Sequence, residues 1–170
     1  TASYNTAVGW GSLKVNTTGT RNTALGNNSL DANTTASDNT AVGSAALGLN
    51  TTGANNVAIG SLALDANTTA SDNVAIGTLS LSSNTTGNLN VAVGVQSLKA
   101  NTVGDRSVAI GYQALSAQNP SSNADVYNTA VGYQAGKLVT TGIQNTAIGG
   151  LAGDSITSGG GNTIMGYAAG

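Results

Sequence analysis

The chain has no cysteine, no histidine, no phenylalanine, no glutamate and a single proline. Each absence excludes something. Without His or Cys there is no Ser–His or Cys–His nucleophile and no ordinary zinc site. Without Cys no disulfide can staple a small core. Charged residues are 7% of the chain and the net charge is −2. So little positive charge offers no footprint for nucleic acid or an anionic membrane surface. No apolar run approaches the roughly 18 residues of a membrane span, and no charged-then-apolar leader opens the chain. Thr1 rather than Met stands first, which reads as a fragment or processed product. Ala, Gly, Thr and Asn dominate what remains. Disorder usually brings charge and proline, and both are scarce here, so the bias points to a repeat.

The repeat is N-T/V-A-V/I-G. Its closing glycines are Gly9, Gly26, Gly43, Gly60, Gly77, Gly94, Gly111, Gly132, Gly149 and Gly166. They are spaced by 17 residues, with one spacing of 21 between Gly111 and Gly132. One repeat domain therefore covers residues 1–170, with an insertion around 117–124. Seventeen residues is too short for a helical hairpin, and Asn, Gly and β-branched residues disfavour helix. The repeat suits an all-β solenoid whose coils hold two short strands and two turns. Ten coils at the strand spacing give a rod of about 48 Å. Asn and Thr would then form ladders.

Strand alternation divides the motif into two faces. Val74 and Ile76 point one way and Ala75 the other. The larger pair, with the Leu four residues after each Gly (Leu13, Leu30, Leu47, Leu64, Leu81, Leu98, Leu115), is expected to fill the coil. That leaves Ala7, Ala24, Ala41, Ala58, Ala75, Ala92, Ala109, Ala130 and Ala147, closed by Ile164, as an outer stripe. Such constancy on a surface predicts a close-packed oligomer seam.

N-T-A-V-G-Y-Q-A, N-V-A-I-G and S-V-A-I-G-Y-Q-A resemble the head repeats of YadA-like trimeric autotransporter adhesins. With the N-T-T-G spacers at Asn16–Gly19, Asn50–Gly53 and Asn84–Gly87, they also resemble repeats of phage tail fibres. The resemblance runs through all 170 residues. It implies a left-handed parallel β-roll, a homotrimer about the rod axis, and a fibre displayed outside the cell, on a virion or a bacterial surface. The coil is longer than the usual adhesin coil, which favours the tail-fibre branch.

Other columns carry the remaining candidates. Stacking places Lys14 over Asp31, Arg21 over Asp38 and Lys137 over Asp154, as axial charge pairs. The calcium-roll pattern G-G-x-G-x-D is missing, so no metal or other cofactor is expected. Trp10, Tyr112, Tyr133 and Tyr167 follow the closing glycines. Exposed aromatics with nearby amides can stack on sugar rings. The insertion and its flanks supply the candidate surface site: Tyr112, Gln113, Asn119, Asn123, Asp125, Tyr127, Tyr133 and Gln134. The N-T-T triplets match glycan acceptors but recur in register, as turn residues do.

The expected function is a non-enzymatic fibre segment that attaches to a cell-surface glycan or protein receptor, with neither nucleic acid nor membrane as a partner. An ice- or surface-binding monomeric solenoid is the alternative. It would need two outward Thr columns spaced T-x-T, and the adjacent Thr17 and Thr18 point opposite ways. A fibre-borne glycan depolymerase would need two converging carboxylates, whereas Asp38 and Asp72 simply recur with the repeat.

Overall fold

A computed structural model describes all residues 1–170. The chain is a β-solenoid of ten coils with no helix. Each coil contributes one three-residue strand: β1 (Thr6–Val8), β2 (Thr23–Leu25), β3 (Thr40–Val42), β4 (Val57–Ile59), β5 (Val74–Ile76), β6 (Val91–Val93), β7 (Val108–Ile110), β8 (Thr129–Val131), β9 (Thr146–Ile148) and β10 (Thr163–Met165). They form a single parallel sheet in sequence order. The register is the repeat itself: Ala41 pairs Ala58, Ala58 pairs Ala75, and Ala75 pairs Ala92.

The second strand expected in each coil does not form. Turns replace it, because each regular coil takes left-handed backbone at four places. In the third coil these are Gly43 (φ 132°), Ala45 (φ 54°), Leu47 (φ 51°) and Asn55 (φ 59°). Four such bends close a narrow loop. The turns are nonetheless hydrogen-bonded from coil to coil. Of 103 backbone–backbone hydrogen bonds only 18 lie within the strands. Leu47 N donates to Ala63 O at 3.0 Å, and Thr51 N donates to Thr68 O at 2.9 Å. Nearly every coil templates the next around most of its circumference, which leaves few buried backbone groups unmade.

The narrow loop reverses the expected faces. Ala24, Ala41, Ala58, Ala75, Ala92, Ala109 and Ala130 are fully buried, with Ala147 nearly so. They pack with Leu30, Leu47, Leu64, Leu81, Leu98 and Leu115 in one core. Ala7 and Ile164 belong to the same inward column, in the terminal coils. The Ala column is therefore not an outer seam. Outward go the residues on either side of Ala, among them Val8, Leu25, Ile59, Ile76, Ile110, Ile148 and Met165, all exposed. The physical reason is room. The strand faces a Leu across a loop of 17 residues, and a methyl group is what fits between them.

That Leu is itself held left-handed, with φ between 48° and 51° from Leu13 to Leu115. Left-handed backbone costs a non-glycine residue about 1–2 kcal/mol, and burying a Leu side chain contributes about 1.5–3 kcal/mol. The last coils solve the same problem differently. Gly136 (φ 58°) and Gly153 (φ 62°) replace Leu, and Val139 and Ile156 appear three residues later, where the first six coils carry Asn and the seventh Gln118. A Cβ on Gly136 would lie 3.0 Å from Leu115 Cδ2 and 3.5 Å from Val139 Cγ2, so Val139 fills the volume. Gly136→Leu alone is expected to overpack the eighth coil and cost about 1–3 kcal/mol. Adding Val139→Asn restores the Leu–Asn arrangement and should recover most of that loss. A double-mutant cycle by urea unfolding measures the coupling, and additive losses would refute the exchange.

Two buried amide ladders line the core. The first is the Asn four residues before each corner glycine. Asn56 Oδ1 accepts from Asn73 N at 3.0 Å, and Asn56 Nδ2 donates to Ala70 O at 2.9 Å. The second is the Asn that opens each N-T-T triplet. Asn67 Nδ2 donates to Asn50 Oδ1 at 2.8 Å and to Ala70 O at 3.0 Å. Asn50 and Asn84 are fully buried, so these acceptor-like triplets are closed to glycan attachment on the folded rod. Where Ser107 interrupts the first ladder, the longer Gln118 of the insertion reaches in. Gln118 Oε1 accepts from Asn128 Nδ2 at 2.9 Å, and Gln118 Nε2 donates to Ser107 Oγ at 3.0 Å. Gln118 thus bridges the gap in the ladder through the side chain of Asn128, while Ser121 to Asn123 bulge out exposed.

Candidate surface site

The alternation that buries Asn128 and Ala130 aims Tyr127, Thr129, Val131 and Tyr133 outward. Tyr127 stands just before β8 and Tyr133 just after it, at the two margins of the strand face. The eight candidate residues therefore divide into two groups rather than one.

The first group lies past the corner glycines. Tyr112 and Tyr133 stack, with ring centroids 5.5 Å apart and planes 14° apart. Beside them runs an amide ladder. Gln134 Nε2 donates to Gln113 Oε1 at 2.8 Å, and Gln113 Nε2 donates to Gln96 Oε1 at 2.7 Å. Gln96 completes the ladder although it was not among the eight. Its place two residues after Gly94 matches that of Gln113 after Gly111, and by that offset the sequence already sets Gln96 beside the aromatic column as a hydrogen-bonding amide.

The second group lies at the other margin. Asp125 accepts an ion-paired hydrogen bond from Arg106 and a hydrogen bond from Tyr127 Oη at 3.2 Å. The Arg106 guanidinium sits 5.9 Å from the Tyr127 ring centroid. Asn119 is drawn into the turn, where its Oδ1 accepts from Thr102 Oγ1 at 2.7 Å. Asn123 is exposed and makes no side-chain hydrogen bond with the protein. Arg106 was missed as a site residue because its partner lies 19 positions on, outside the 17-residue register.

Of the three expected axial charge pairs, one forms. Arg21 grips Asp38 with two hydrogen bonds, Nε to Oδ1 at 2.6 Å and Nη2 to Oδ2 at 2.8 Å. Those bonds hold the Asp38 carboxyl below its ordinary value. Lys14 instead places Nζ 5.8 Å from the Trp10 ring centroid, and Asp31 Oδ1 is buried without a partner. Lys137 and Asp154 make no ion pair, because only the Arg21 and Arg106 pairs are close enough. A one-coil offset brings columns together, but a Lys stem must still find a better contact there than water provides.

Burial pushes the Asp65 carboxyl above its ordinary value. A raised carboxylate means the folded chain holds that proton more tightly than the unfolded chain. Asp65 thus weakens the fold above the ordinary carboxylate range and ceases to do so below it. Asp38 has the opposite sign, stabilising at neutral pH and failing as acid protonates it. Asp65→Ser, the residue found at Ser82 and Ser116 in that column, is expected to melt higher than the parent at pH 7. The difference should fade below about pH 4. Thermal melts of both proteins at the two pH values check this.

No cavity opens along the rod, and no three acidic side chains converge. No helix is long and apolar enough to cross a membrane. Comparison of the chain with protein-family models, with curated proteins and with solved structures finds no match.

Proposed function

We propose that the chain is a non-enzymatic fibre segment of the YadA-like head type. It assembles as a homotrimer outside the cell, on a virion tail fibre or a bacterial surface, and takes part in attachment to a glycan or protein receptor. One observation carries this reading: one outward column of the strand face is apolar on all ten rungs, and both columns are apolar on the four central rungs. Its central rungs read Val57 and Ile59, Val74 and Ile76, Val91 and Val93, then Val108 and Ile110. The two outward columns of the strands, three residues wide and ten strand spacings long, cover on the order of 500 Å². A continuous stripe of that size is at the upper end of what a monomer leaves exposed and is often a contact surface. The seam of the assembly is therefore this Val/Ile face and not the buried Ala column.

Sedimentation equilibrium tests the reading. The expected mass is three times 16.5 kDa. Ile76→Asp should release folded single chains, since Ile76 is exposed on each chain and its loss opens no cavity. A parent protein that sediments as one chain overturns the trimer.

The other reading keeps the chain monomeric with this face against ordered water or ice. A specific feature favours it: Thr6, Thr23, Thr40, Thr129, Thr146 and Thr163 head six of the ten rungs, so hydroxyls and methyls alternate with regular spacing. Thermal hysteresis in a monomeric sample would select it.

A further inference from the structure

The column that follows the corner glycines reads Tyr112, Tyr133, Gly150 and Tyr167 over the last four coils. Tyr112 covers one face of the Tyr133 ring. The opposite face looks toward the next rung, where Gly150 has no side chain. One rung further, Tyr167 leans over the gap. Its Cδ2 and Cε2 lie 3.4 and 3.7 Å from where a Cβ on Gly150 would stand. Tyr133 is 56% exposed and Tyr167 81% exposed, so neither ring is committed to the core.

We propose that the missing rung at Gly150 is a subsite for one neutral pyranose ring. This names a ligand and a place for the attachment half of the reading above, and it rests on that reading. Tyr133 and Tyr167 belong to rungs about 9.6 Å apart, twice the strand spacing. The Tyr167 ring rests partly in that gap, so a pyranose enters as this exposed ring swings outward, and two layers of carbon contact at about 3.5–4.0 Å then leave room for one ring and not a second. The C–H face of a pyranose meets the negative face of the tyrosine ring, which carries a quadrupole of the right sign. A polar group waits beside the platform. Gln134 spends one amide N–H on Gln113, while its Oε1 receives no hydrogen bond from the protein. The next residue in that column is Leu151, which has nothing to donate. A sugar hydroxyl can make that bond. Every residue of the two columns from Tyr133 to Ala168 is uncharged, so a phosphate or carboxylate would gain no partner there.

The test is a titration of ¹⁵N-labelled protein with methyl β-galactopyranoside, methyl α-glucopyranoside and methyl N-acetyl-β-glucosaminide. At least one glycoside is expected to shift the Gly150 and Leu151 amides, with saturation transfer from the Tyr133 ring to the sugar. Gly150→Thr fills the gap and Tyr133→Ser removes the platform. Both residues already occur in this column, as Thr78 and as Ser44 and Ser61, so the coil accommodates them. Each should weaken binding at least tenfold while the melting temperature stays within a few degrees. The slot is overturned if no glycoside moves these amides, if binding survives Gly150→Thr, or if indole binds there and the glycosides do not. Cell binding by the parent and the Gly150→Thr protein separates the two claims. Equal binding removes the slot and leaves attachment standing, whereas a parent that binds neither cells nor glycosides removes both.

Discussion

Gly77→Ala is expected to disrupt the centre of the rod and to lower stability by about 3–5 kcal/mol. Two causes act together. Gly77 has φ 128°, where an L side chain is strained. The added Cβ would also stand 2.7 Å from both the carbonyl carbon and oxygen of Gly94, and 3.0 Å from Val95 N. Those are backbone atoms of the next coil, so no rotamer change relieves the clash. The corner must open, and the bond from Gly94 N to Ile76 O at 2.7 Å opens with it. Gly48→Ser is the control. A Cβ there meets first the Asp65 carboxylate oxygen at 3.1 Å, the end of a flexible side chain, and Ser82 and Ser116 occupy the same column. Urea unfolding of both variants checks the contrast. Equal losses would mean that the corner glycines are compositional rather than geometric.

Asn56→Leu is the second large effect. The residue is fully buried, and its amide is used on both sides. Substitution leaves Asn73 N without a partner, and Ala70 O keeps only the bond from Asn67 Nδ2. An orphaned buried donor costs about 1–3 kcal/mol, so a loss of at least that order is expected even though Leu is the more apolar residue. Leu also exceeds Asn slightly in bulk, in a core that admits only methyl groups nearby. The loss should appear in chemical unfolding and in amide hydrogen exchange, with Asn73 N among the sites that lose protection. A stabilised variant would show that the ladder is dispensable and that the core is held by Leu and Ala alone.

These two positions also explain why the candidate surface site was half legible. Tyr112, Tyr133, Gln113 and Gln134 follow corner glycines at fixed offsets, and identical offsets become stacked rungs. Their pairing was therefore written in the repeat. Asp125 and Arg106 are separated by the insertion, which breaks the offset, and only the folded loop brings them together. The Lys14–Asp31 and Lys137–Asp154 offsets were equally regular, yet no pair forms. Register places Cα atoms, but a long exposed side chain settles where its own contacts are best.

The sequence by itself determined the period, the ten coils, the parallel in-register stacking, the Leu core and the place of the insertion. All of these follow from one repeating length, because stacked identical coils can pair only residue to equivalent residue. Which face of the strand turns inward was decided by the tertiary structure. Alternation separates Ala75 from Val74 and Ile76 but does not say which set is inside. A parity clue was present: Asn73, Ala75 and Gly77 share one side of the strand and barely vary through the repeat. The deciding quantity is the width of the coil, set by left-handed turns at Leu, Asp, Arg and Gln as well as at Gly. Nothing in those residue types announces a left-handed backbone. Only the closed loop, one methyl group wide opposite its leucine, puts Ala inside and leaves the valines and isoleucines facing out.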